Sequence, residues 1–218
     1  MIRLIQVALR YGHNGVAVLN QLDLHVPPGA FVVLTGQSGA GKSSLLRLIF
    51  LEHPPSLGQV VLFGRDTALL NRSQRSLMRR QIGVVFQDFR LVPHLSLREN
   101  VALPLRIAGL YDRRQAGHVD SLLDWVGLRH AADALPMELS GGAQQRAAIA
   151  RAVIARPSLL LADEPTASVD PAMSARLLHL LKELHRGGTT LVLATHDPQL
   201  TRDMPASLLR LENGQLRA

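Results

Sequence analysis

Gly36-Gln37-Ser38-Gly39-Ala40-Gly41-Lys42-Ser43 spaces its residues as GxxxxGK[ST], the pattern of a loop that wraps a chain of phosphates. Glycines let the backbone close around the anion, and the loop N–H groups and the start of a following helix face it. In such a loop Lys42 reaches the β- and γ-phosphates, Ser43 offers a hydroxyl to Mg2+, and Ser44 continues into the helix. A second element, Leu159-Leu160-Leu161-Ala162-Asp163-Glu164-Pro165, is an apolar run ending in two adjacent carboxylates. Asp163 suits the water shell of a nucleotide-bound Mg2+, and Glu164, pointing another way, suits polarising a water for in-line attack on a γ-phosphate. Alone, the acidic pair would read equally well as a solvated strand end; beside a phosphate loop it implies nucleoside triphosphate hydrolysis.

The flanking pattern supplies the elements that must hold these groups. Ile2-Arg3-Leu4-Ile5-Gln6-Val7 and Leu22-Asp23-Leu24-His25-Val26 alternate as strands, Pro27-Pro28-Gly29 turns, and Phe31-Val32-Val33-Leu34 reads as a buried strand feeding the loop. Ser43 to Leu51 carries leucines at helical spacing, and Gln59 to Phe63 is extended again. The middle of the chain changes to helix. Val119, Leu122, Leu123 and Val126 share a face, with Asp112 as cap and Gly127 as terminator, and a second helix runs from Ser140 to Arg156. Strand and helix then alternate: 159–162 is a buried strand, Asp170-Pro171 opens a helix whose stripe is Met173, Leu177, Leu180, Leu181 and Leu184, Gly187-Gly188 ends it, and 190–194 is the next strand. The spacing predicts an α/β sheet interrupted by a helical insertion over about residues 88–155.

Composition narrows the classes. The 218 residues suit one domain, and 47% hydrophobic with 19% charged residues is ordinary for a globular chain. Without cysteine, disulfides, thiolate catalysis and cysteine-ligated metal centres are excluded. Aromatics at 4% disfavour a stacking platform for single-stranded nucleic acid. The longest apolar runs fall far short of the roughly 18 residues a membrane span needs, and the N-terminal stretch lacks a signal sequence, so a cytoplasmic location is the expectation. A net charge of +7 and a pI near 11.1 point to anionic partners. All the basic residues except Lys42 and Lys182 are arginines spread along the chain, so no specific nucleic acid is expected. None of the histidines pairs at metal-ligand spacing.

Leu139-Ser140-Gly141-Gly142-Ala143-Gln144-Gln145-Arg146 resembles the LSGGQ signature of the ABC ATPases, and the resemblance extends over nearly the whole chain. In order, Tyr11 matches the aromatic A-loop, 36–43 the Walker A, Gln87 the Q-loop, 139–143 the signature, 159–164 the Walker B with its catalytic glutamate, Ser168-Val169-Asp170 the D-loop and His196 the switch histidine. Ala143 departs from the usual Gln or Glu, and Ser168-Val169-Asp170 from the commoner Ala-Leu-Asp or Asn-Leu-Asp. The resemblance implies a RecA-like core with an N-terminal antiparallel β subdomain (1–87 and 156–218) and a helical subdomain insertion (88–155). It also implies a head-to-tail homodimer sandwiching two ATPs with Mg2+. There Glu164, His196 and Gln87 are catalytic, Ser43, Gln87 and Asp163 hold the metal, and Tyr11 stacks on adenine. Ser140, Gly141 and Gly142 contact the partner's γ-phosphate, to which a helix N-terminus is well suited.

Within the family, LTGQSGAGKSSLLRLI, RRQIGVVFQDFRL, ENVALPLRIAG and ATHDPQL look most similar to the cell-division branch. Its ATPase works with an integral membrane partner and signals to cell-wall hydrolases. The nearest alternative is the lipoprotein-release or macrolide-export branch. An ATP-gated scaffold and a soluble DNA-repair or translation ATPase are further readings. Arg72, Arg75, Arg79 and Arg80 form either a solvated face or one for anionic lipid headgroups. Phe89 to Leu95 is either a docking loop for the membrane subunit or part of the core.

Overall fold

The computed structural model describes residues 1–12, 15–196 and 206–217, so residues 197–200 of the ATHDPQL stretch lie outside it. Strands β1 (Ile2–Arg10) and β2 (Ala17–Val26) pair antiparallel, and β3 (Phe31–Thr35) leads through the phosphate loop into helix α1 (Lys42–Ile49). β4 (Leu57–Leu62) and β5 (Arg65–Asp66) follow, then α2 (Arg72–Arg79) and β6 (Ile82–Val85). The helical stretch holds α3 (Leu97–Ala108), α4 (Arg113–Trp125) and α5 (Gly141–Val153). β7 (Leu159–Asp163), α6 (Pro171–Arg186), β8 (Thr190–Ala194), β9 (Ser207–Glu212) and β10 (Gln215–Arg217) complete the chain.

Among the described residues the strands form two sheets, a four-stranded one in the order β2-β1-β4-β5 and a six-stranded one in the order β10-β9-β3-β8-β7-β6. In the larger sheet β9, β3, β8, β7 and β6 run parallel, so β3, β8, β7 and β6 all end at one edge. Residues 31–34, 159–163 and 190–194 are buried on both faces, which is why they read as apolar runs without alternation. The wall between the two sheets holds α1, whose Leu45, Leu46, Leu48 and Ile49 pack with Ile2, Leu4, Leu22 and Leu34. The opposite face of the larger sheet is covered by α5 and α6 through Ile149, Val153, Leu177 and Leu181. A third cluster, with Val101, Leu105, Val119 and Leu123, is the core of the helical stretch. No helix among the described residues is long and apolar enough to cross a membrane.

Caps set the helix starts. Asp112, Ser140 and Asp170 accept from the backbone N–H groups of Gln115, Ala143 and Met173. Helix α5, expected to run from Ser140 to Arg156, stops at Val153, because Arg156 takes the left-handed conformation and turns the chain toward β7. The arginines of α2 do not form one solvated face. Arg72 and Arg80 are exposed, but Arg79 turns inward to the carbonyls of Phe50 and Leu51, groups that α1 cannot satisfy at its end.

α5 lies close on β6 at Gly83. A Cβ there would sit 2.2 Å from the Ala152 carbonyl oxygen and 2.8 Å from Cγ of Pro157. Gly83→Ala is therefore expected to cost about 1–3 kcal/mol by overpacking. Urea unfolding checks this, and an unchanged midpoint would mean that α5 can retreat from the sheet.

Candidate active site

Three of the parallel strands deliver the chemistry, and the fourth brings a glutamine. β3 runs into the phosphate loop, Asp163 ends β7, Glu164 follows it, His196 lies two residues beyond β8, and Gln87 two residues beyond β6. The pairing of Asp163 with Ala194 puts Glu164 and His196 side by side. Ser38, Gly39, Gly41, Lys42, Ser43, Ser44, Gln87, Asp163, Glu164 and His196 line one cavity of about 460 Å3. Gln37 and Ala40 are not in that lining but line a second cavity with Ser38, Gly39, Leu211, Glu212 and Asn213, and Ala40 is buried in the core. Gly36 is where the loop leaves the sheet. Its φ is 144°, and a Cβ would lie 2.2 Å from the Leu211 carbonyl oxygen, so no other residue fits.

Lys42 is buried, and its ammonium donates to the carbonyls of Gly36 at 2.6 Å and Gln37 at 3.1 Å. The third direction faces Nε2 of His196 at 3.2 Å. The same Nε2 is 3.5 Å from a Glu164 carboxylate oxygen. One ring nitrogen cannot accept from the ammonium and donate to the carboxylate at once, so the tautomer chosen decides which partner His196 serves. The His196 backbone N–H also donates to Glu164 at 3.3 Å. These contacts gather a cation, an imidazole and a carboxylate in the wall of one cavity.

Glu164 has φ 47°, left-handed for a residue with a side chain, at a cost of about 1–2 kcal/mol. Its N–H donates to the Ala194 carbonyl at 2.8 Å, and its own carbonyl accepts from Ala167 N–H at 3.2 Å and Gln145 Nε2 at 3.3 Å. Gln145 is 1% exposed and also donates to the Pro165 carbonyl at 3.0 Å. Reading the signature as a phosphate contact missed this residue, although its place on the inward face of an alanine-rich helix was the available signal. Asn100 was missed likewise: fully buried in α3, it bonds the backbone of Val92, Leu95 and Ser96 and shapes the loop between β6 and α3.

Ser43, Gln87 and Asp163 contribute hydroxyl, amide and carboxylate oxygens to one cavity, a hard-oxygen donor set suited to Mg2+ that retains waters and takes the rest of its shell from phosphate. Tyr11 does not line the phosphate cavity; its hydroxyl donates to Ser44 Oγ at 3.1 Å and its ring meets His53 edge-on. Ser140, Gly141 and Gly142 stand apart from this cavity as well, at the start of α5. Gly142 abuts the Ser168 carbonyl, which a Cβ would approach to 2.7 Å.

A nucleoside triphosphatase of the phosphate-loop class is what this sheet edge defines. The chain belongs to the ABC transporter family, whose profile matches residues 19–167, and it is an ATPase of that family. It is 43% identical over 217 residues to the cell division ATP-binding protein FtsE of Haemophilus influenzae, covering 100% of both chains. Identity to FtsE of Escherichia coli K12 is 43%, covering 99% of this chain and 97% of that one. Identity to FtsE of Bacillus subtilis is 40%, covering 92% and 88%. Among solved structures, the ATP-binding cassette MJ0796 in a dimeric post-hydrolysis state bound to ADP and Pi is similar at a TM-score of 0.91 and 33% identity, covering 100% of this chain and 97% of that one. A further dimeric structure of MJ0796, a bacterial ABC transporter cassette, is similar at a TM-score of 0.92 and 34% identity, with the same coverage.

Gln145→Leu takes the side-chain donor from the Pro165 carbonyl and leaves the Glu164 carbonyl with Ala167 N–H alone, for an expected loss of about 1–3 kcal/mol in stability. Because Glu164 is then held less firmly, kcat should fall on the order of tenfold or more with little change in ATP affinity. Steady-state ATPase assays together with nucleotide titration check the split.

Proposed function

We propose that this chain is the ATP-binding and ATP-hydrolysing subunit that dimerises around ATP and drives an FtsX-like integral membrane protein in bacterial cell division, signalling to cell-wall hydrolases from the cytoplasmic face of the inner membrane. The observation that carries the dimer is the separation of the signature from the phosphate cavity: Ser140, Gly141 and Gly142 lie outside the lining that holds Lys42 and Glu164. The free end of α5 offers backbone N–H groups, the Ser140 hydroxyl and the positive end of a helix dipole, which fit the γ-phosphate held by a second copy. ADP offers no such phosphate, so ATP favours the closed pair and hydrolysis releases it. The dimeric state of MJ0796 and the full-length similarity to FtsE proteins support this reading.

In the proposed cycle Lys42 exchanges a loop carbonyl for the β- and γ-phosphates, Tyr11 turns to the adenine, and the loop N–H groups from Gly36 to Ser44 surround the phosphates. Glu164 polarises a water in line with the γ-phosphate, and His196 holds both in place. Ser43, Asp163 and Gln87 would hold Mg2+, which when bound would neutralise phosphate charge. Residues 1–87 with 156–218 act as the nucleotide-binding core, and 88–155 as the helical unit that reaches the second copy.

The membrane partner's place is supported by a groove of about 440 Å3 between α2, β6 and α3, walled by Val84, Val92, Leu103, Pro104 and Ile107, the last 54% exposed. Val92, from the loop expected either to dock or to pack, is in its wall.

Glu164→Gln is expected to bind Mg·ATP and lose turnover by about 100-fold or more, whereas Lys42→Ala loses nucleotide binding itself. Unchanged turnover in both variants would sink the proposal. Tagged Glu164→Gln in Mg·ATP should copurify an FtsX-like membrane protein that Lys42→Ala does not. Recovery of a lipoprotein-release or export permease instead would move the chain to transport.

A further inference from the structure

Helix α5 touches the segment after Gln87 at two points about a helix length apart. At its start, a Cβ on Gly141 would sit 4.0 Å from the Phe89 ring, so that ring lies over the signature. Near its end, Arg151 forks onto two successive carbonyls of the same segment, with Nη1 donating to Arg90 at 2.6 Å and Nη2 to Phe89 at 2.7 Å. Ten residues of helix, roughly 15 Å, separate the two contacts. Phe89 and Arg90 both have positive φ, 56° and 48°, a pairing that persists in L-residues only where surroundings hold it. The Arg90 side chain supplies the other anchor. Its guanidinium lies 3.9 Å above the Phe86 ring and pairs with Glu52 at 2.9 Å and with Asp88, which ties the segment to the nucleotide-binding core.

Arg151 has no carboxylate partner among the described residues, and burial pushes its guanidinium down to about 10, so it stays charged at neutral pH. A half-buried cation whose hydrogen bonds go only to carbonyls is a demanding arrangement, and the planar fork suits two adjacent acceptors where a lysine reaches one. The next residue, Ala152, bears on Gly83 of β6. Arg151 therefore sits where α5 is pressed against the sheet, while the signature end of the helix is remote from that contact. It also lines the groove between α2 and α3.

We propose that Arg151 is a positioning residue that straps α5 to the strained segment 88–90, so that Gln87 and the signature end of α5 move as one unit. This deepens the proposed function and rests on it for the roles of Gln87 and Ser140. A change at the γ-phosphate felt by Gln87 shifts Phe89 and Arg90, and the strap converts that shift into a tilt of α5 about its contact with Gly83. An occupant of the groove acts on the same strap from the other side. Without the fork, the two left-handed residues relax and the helix no longer follows the loop.

The test uses the full chain in the Glu164→Gln background, with Arg151→Met and Arg151→Lys added. At a protein concentration low enough to keep the chain monomeric, so that a second copy does not itself protect 141–150, hydrogen–deuterium exchange is followed in residues 86–92 and 141–150 as Mg·ATP is added, beside the Kd for Mg·ATP and the urea midpoint. In the parent, both segments should change protection together. In Arg151→Met, residues 86–92 should still respond, the response of 141–150 should be lost, and Kd should stay within about threefold; Arg151→Lys should keep a partial response. Undiminished joint response in Arg151→Met overturns the strap, as does a parent in which 141–150 never responds. If Arg151→Met lowers the urea midpoint and weakens binding more than tenfold while Arg151→Lys keeps the midpoint and loses nothing of the joint response, the role is structural and the proposal falls. A parent that shows the joint response but neither dimerises nor, with Glu164 restored, hydrolyses ATP would overturn the proposed function and leave the strap standing.

Discussion

The approach of the Leu211 carbonyl to Gly36 is the constraint on which the nucleotide end of the molecule depends. There the end of β9, running parallel beside β3, comes so close to the exit of β3 that a side chain has no room, and the chain must turn with positive φ into the loop. That turn aims the loop carbonyls of Gly36 and Gln37 at the Lys42 ammonium and seats α1 between the two sheets. Because β8 and β7 are parallel to β3 and in register with it, their ends bring His196, Asp163 and Glu164 to the same edge. Ligand sites of open α/β sheets form at this edge because every parallel strand releases its chain there.

Electrostatic preorganisation follows from that edge. A buried ammonium is tolerated because three groups surround it at the edge of the cavity. The conformational cost of the left-handed Glu164 is met by its hydrogen bonds to Ala194, Ala167 and Gln145. Gln145 comes from α5, the same helix that carries Ser140 at its start and Arg151 near its end. One helix thus supports the carboxylate beside the phosphate cavity, exposes a capped N-terminus away from it, and grips the segment that follows Gln87.

Much of this is legible in the amino-acid sequence. The phosphate loop, the apolar strands at 31–34, 159–162 and 190–194, and the caps at Asp112 and Asp170 are local signals, and each expresses a neighbour-to-neighbour preference of the backbone. The expected end of α5 at Arg156 missed by a few residues, because what stops the helix is the left-handed turn that returns the chain to β7. Of the four arginines expected on one face of α2, Arg79 leaves it for a similar reason. Periodicity places Arg79 on a helix, but the unsatisfied carbonyls at the end of α1, distant in sequence, draw it inward.

By itself the sequence determined the kind of elements, their order and the loop that joins β3 to α1, since those depend on spacing along the chain and on side-chain chemistry. Tertiary structure alone decided which groups meet. Lys42 with His196, Gln145 with the Glu164 carbonyl, Arg151 with Phe89 and Arg90, and Gly83 with Ala152 are all contacts between residues far apart in the chain. Such contacts are set by strand order and by the closeness with which α5 packs on β6, and neither quantity has a local signature, because the same apolar run serves a central strand in any order.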